Sequence, residues 1–149
     1  MQPREHDKLF FILPIEMSEV SKKERNAEFD ITHITSAPTS TVNISIYAKQ
    51  NLHADSIVFS NRERRIAVAD FKTFFIEKEK QIWKHPYSCA VSFADLCGLY
   101  KEASSWELTV YHQSGRLVYR QSPSVWERAR ARMTEILYLI QLNSAPNDK

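Results

Sequence analysis

An α+β fold is predicted by this sequence: a bent, mostly antiparallel sheet closed by a long C-terminal amphipathic helix. Three observations carry the prediction. Residues 42–49 alternate strictly, Val42, Ile44, Ile46 and Ala48 against Asn43, Ser45, Tyr47 and Lys49, which is the period of a half-buried strand. Residues 106–112 (WELTVYH) and 116–121 (RLVYRQ) are two β-rich runs around a turn holding Ser114 and Gly115, where glycine supplies the positive φ such a turn needs. From Pro123 onward, Val125, Ala129, Met133, Ile136, Leu137 and Ile140 recur at helical spacing and form one apolar stripe through about residue 142.

The remaining elements follow along the chain. LFFIL at 9–13 reads as a short strand or buried apolar segment, stopped by Pro14. Residues 18–28 fit a short polar helix with Ser21 and Glu24 as its capping box. FDITHIT at 29–35 is strand-like, and SAPTST at 36–41 has loop composition. DSIVFS at 55–60 and RIAVA at 65–69 make a hairpin whose tip, 61–64, is charged. Residues 70–84 admit two structures. As a helix, Asp70 caps it and Phe71, Phe74, Phe75 and Ile82 share a face; as a strand, FKTFFI puts Phe71, Thr73 and Phe75 on one side. Pro86 ends either version. YSCAVSFA at 87–94 suggests another strand, and ADLCGLYKEA is ambiguous beyond it. In the last helix Pro123 suits the first turn, and Ser124 with Glu127 matches a capping box. The tail NSAPNDK reads as frayed.

Composition excludes several function classes. The 149 residues, 43% hydrophobic and 26% charged, suit one globular domain and leave no case for disorder. Only two glycines are present, so loops that cradle phosphate with bare backbone N–H groups are excluded, and with them dinucleotide and nucleotide-triphosphate sites. No pair among His6, His33, His53, His85 and His112 has the i, i+4 spacing of two metal ligands on a helix. Cys89 and Cys97 form one bridge at most and lack zinc-knuckle spacing. No cofactor, metal site or catalytic residue is therefore nominated. His85 and Cys89 are the nearest approach to a nucleophile and base, but an extended chain holds them about 13 Å apart. A buried structural thiol is the reading for Cys89. With no signal-like or membrane-spanning segment, the expected location is the cytoplasm.

DSIVFSNRERRIAV, VSFADLCGLY, WELTVYHQSGRLVYRQ and the helix SVWERARARMTEIL appear in an order that resembles a pleckstrin-homology or GRAM-like domain over the last two-thirds of the chain. The resemblance implies a strongly bent sheet with one C-terminal helix across its open end. It carries no binding residue over, because the family's basic head-group loop has only KKER at 22–25 as a counterpart. The rival is a roadblock- or profilin-like α/β sandwich, favoured if 70–84 is a helix.

Both resemblances imply interaction, not catalysis. The leading expectation is a non-enzymatic interaction or regulatory module that binds another protein, a homodimer being its economical form. Tyr138, Leu139 and Leu142 lie off the apolar stripe and are the candidate interface. The alternative is a binder of nucleic acid or an anionic surface through Arg116, Arg120, Arg128 and Arg132, with Arg130 pointing away from the last two. A third expectation is an enzyme whose site is assembled from distant residues around Cys89 or His85.

Overall fold

The computed structural model describes residues 8–19, 25–49, 51, 53–68, 70–102, 105–113 and 115–144. Its strands are β1 (Leu9–Glu19), β2 (Arg25–Ile34), β3 (Thr39–Ala48), β4 (Ala54–Ser60), β5 (Arg65–Val68), β6 (Lys72–Thr73), β7 (Glu77–Glu79), β8 (Ile82–Ser92), β9 (Glu107–His112) and β10 (Gly115–Arg120). Two helices complete it, α1 (Phe93–Leu99) and α2 (Pro123–Ser144). The strands form one sheet in the order β5-β4-β9-β10-β1-β2-β3-β8-β6, with β7 also on β8. All pairings among the described residues are antiparallel, and the path does not close on itself. The molecule is thus α+β, a mostly antiparallel sheet with a C-terminal helix.

Register explains the core. Ile31, Val42 and Cys89 stand in one row across β2, β3 and β8, Phe29, Ile44 and Tyr87 in the next, and Ala27, Ile46 and His85 in a third. All nine are buried, so the alternation in residues 42–48 sets the inner face of three strands together. Trp106 joins this half to the other: its indole meets Phe29 of β2 at 5.1 Å and Phe59 of β4 at 5.6 Å. Tyr100 stacks on Trp126 of α2 at 5.3 Å, and Met133, Leu137 and Ile140 extend the helix's buried side into the same core.

Several expectations are corrected. Pro14 does not stop the first strand. The register steps between Ile12, opposite Ile31, and Ile15, opposite Phe29, and this bulge accommodates a residue without an N–H while returning Ile15 to the core side. The polar helix at 18–28 is absent where it can be seen: 18–19 belong to β1 and 25–28 to β2, while Ser21 and Glu24 lie outside the described residues. The loop at 36–41 is shorter, since β3 begins at Thr39.

Residues 70–84 are not a helix, which removes the main support for the sandwich alternative. Lys72 and Thr73 pair with Ser88 and Tyr87, and Glu77–Glu79 fold back on Ile82–Lys84 through a turn with Lys80 at φ 59°. The outer edge of β8 offers backbone groups that need partners, and this demand overrides the local helical pattern. Phe71 packs edge-on against Tyr87 at 5.4 Å, but Phe74, Phe75 and Ile82 are exposed, Phe75 by 84%. Asp70 has no helix to cap. Pro86 does not end an element either: it lies inside β8, opposite Ser45, and its carbonyl accepts from the Phe74 N–H.

Candidate interaction surface

A groove of about 520 Å³ runs between β1 and α2. β1 contributes Phe11, Ile12, Ile15 and Glu16, and α2 contributes Val125, Arg128, Ala129, Arg132, Met133 and Ile136. The bulge in β1 brings Ile12 and Ile15 to the same side, so both form floor. On α2, Met133 is fully in the core while Val125, Ala129 and Ile136 are only half covered, which leaves an apolar shelf beside the strand. Arg128 and Arg132 stand one turn apart on the rim, both exposed, and make no ion pair or hydrogen bond among the described residues.

The four candidate arginines are thereby divided. Arg128 and Arg132 come together at the groove; Arg116 and Arg120 are not part of it. Arg120 is ion-paired with Glu107 on the neighbouring strand, and Arg116 is exposed on β10 opposite Tyr111. Arg130 does point away, as helical spacing requires, and donates to the carbonyls of Tyr100 at 3.2 Å and Lys101 at 3.4 Å, tying α2 to the end of α1. Arg64, at the charged hairpin tip, pairs with Asp95 of α1 at 3.0 Å.

Tyr138, Leu139 and Leu142 are 60%, 43% and 57% exposed, continuing along the outer side of α2 beyond the groove. Phe11 and Ile15 were not legible as part of a surface. The LFFIL run signals a strand, but which of its residues face α2 depends on a bulge whose position only the cross-strand register fixes.

The chemistry proposed around His85 and Cys89 is not assembled. His85 donates from Nδ1 to the Ile46 carbonyl at 3.4 Å, and Nε2 lies 3.2 Å from the Asn51 side-chain oxygen. Burial lowers its pKa, the backbone bond opposing this in part. Burial pushes the Cys89 thiol up to about 11, so it is protonated and a poor nucleophile near neutrality. Cys89 and Cys97 are both free. Among the described residues no three His, Cys, Asp or Glu side chains converge on a metal-sized site.

No family model, curated protein or solved structure matches this chain. No described helix is long and apolar enough to cross a membrane. The surface chemistry therefore carries the functional argument.

Proposed function

We propose that this chain is a non-enzymatic interaction module that binds another protein at the groove between β1 and α2. The observation that carries this reading is the joining, on one side of one helix, of an apolar shelf, two arginines unpaired among the described residues, and exposed Leu139 and Leu142. A shelf of this kind accepts apolar side chains, and the arginines supply orientation and desolvated ion pairs. A pleckstrin-homology-like ancestry accords with a C-terminal helix laid over an antiparallel sheet and supports the reading without naming a ligand. The anionic-surface alternative has less support, since Arg120 is ion-paired with Glu107 and Arg116 lies apart from the groove, and the two arginines left together give a shallow salt dependence.

The test compares immobilised wild-type chain with the Arg128→Glu/Arg132→Glu variant against one host extract. A protein retained by the wild type and lost by the variant, with hydrogen exchange slowed in α2 and β1 of the complex, is the expected result. Identical retention by both chains would overturn the assignment of the groove.

A further inference from the structure

We propose that the partner at this surface is a second copy of the chain, held by antiparallel pairing of α2 with α2 about a two-fold axis. The proposal rests on the interaction-module reading and adds the partner's identity and its register. Val125, Arg128, Arg132, Glu135, Leu139 and Leu142 are spaced 3, 4, 3, 4 and 3 residues apart. That alternation keeps all six in one narrow stripe and is the spacing of a helix–helix seam. The stripe is distinct from the buried one: Val125 is half-buried and the other five are exposed. At 1.5 Å per residue it runs about 26 Å along α2.

The stripe is self-complementary in only one direction. With the axis passing between Met133 and Thr134, an antiparallel copy sets Arg132 opposite the partner's Glu135, and Glu135 opposite the partner's Arg132. Arg128 then meets the partner's Leu139, and Val125 meets the partner's Leu142. A parallel copy would instead set Arg128, Arg132 and Glu135 each against its own like charge, which opposes association. Val125 and Arg128 also line the groove, so Leu139 and Leu142 arriving from a second copy land on the shelf that each monomer leaves open. One patch therefore supplies both the knob and the pocket, as a two-fold interface requires.

Sedimentation velocity of the full chain across the micromolar range, with circular dichroism to confirm folding, tests the pairing. The wild type is expected to be dimeric. Arg132→Glu alone and Glu135→Arg alone should each weaken the dimer by about tenfold or more, and the double exchange should restore it to within about threefold. Leu139→Ser/Leu142→Ser should dissociate it. All these positions are exposed, so none of the changes threatens the core. A wild type that stays monomeric overturns the proposal, and so does a dimer indifferent to these changes or one that the double exchange fails to restore. A monomer that still retains a different protein in an Arg128/Arg132-dependent way removes self-pairing and leaves the module reading standing.

Discussion

His33 and His85 sit in the core, each fully covered in the fold, and burial lowers the pKa of both below the ordinary 6.5. His33 is stacked on Phe93 at 4.5 Å, with Nδ1 2.8 Å from the Ser40 hydroxyl. The unfolded chain takes up protons at these rings before the folded chain does, so stability is highest above pH 6.5 and is lost as pH falls from there toward the folded-state values. Thermal melts between pH 5 and 8 should show that slope, and His33→Gln should flatten it; an unchanged slope in the variant would assign the effect elsewhere. The Cys89 thiol, raised to about 11, should ignore an aromatic disulfide reagent at pH 8 until denaturant is added. Rapid reaction of Cys89 in the native protein would contradict its burial. Neither histidine is distinguishable in the sequence from the exposed His53, because what buries them is a neighbour on another strand. Cys89 was more legible, since its type alone favours an interior position.

The elements most legible in the sequence are those whose pattern is completed locally. The β9–β10 hairpin forms as its turn chemistry requires, Gly115 taking φ 149° opposite His112. The length of α2 and its buried positions Met133, Leu137 and Ile140 follow from spacing alone. Its start does not. Ser122, not Ser124, sits at the end: its hydroxyl accepts from the Val125 N–H at 3.4 Å and its carbonyl from the Trp126 N–H at 2.8 Å, with Pro123 as the first helical residue. Ser122→Ala should therefore cost about 0.5–2 kcal/mol in denaturant unfolding and Ser124→Ala clearly less; the reverse order would restore the capping box at 124–127. Residues 70–84 were illegible for the opposite reason. Their helical spacing is real, yet β6 and β7 exist to serve the edge of β8, a demand imposed by a strand that comes later in the chain. At α1, a Cβ on Gly98 would fall 1.9 Å from the Arg64 side chain. Gly98→Ala should thus displace Arg64 from Asp95, and a cycle combining it with Arg64→Ala should show coupling, because the side chain that must move has already been removed. Additive effects would mean that Arg64 does not rest on that glycine.

At the scale of the molecule, the backbone link between the two halves of the sheet is thin. Among the described residues, β1 meets β10 only through Ser18 opposite Arg120 and Glu19 opposite Tyr119. Trp106 compensates by touching both halves, so Trp106→Ala should cost about 3–5 kcal/mol, a large share of the ~5–15 kcal/mol that stabilises a domain. Equilibrium unfolding would measure it, and a loss below about 1 kcal/mol would show that the halves are held by something else. The groove beside β1 was half legible: the arginines and leucines of α2 stand at readable spacing, whereas the strand wall opposite them depends on a bulge that the register of β1 with β2 sets. The thin link between β1 and β10 has a consequence for synthesis. β1 and its partner β10 are separated by about a hundred residues of chain, and at ~5–20 residues per second a ribosome leaves the first strand waiting roughly 5–20 s for the second. Throughout that interval the edge of β1 at Ser18 and Glu19 lacks its partner, so a nascent chain halted before residue 115 should bind holdase chaperones that release it once β10 has emerged.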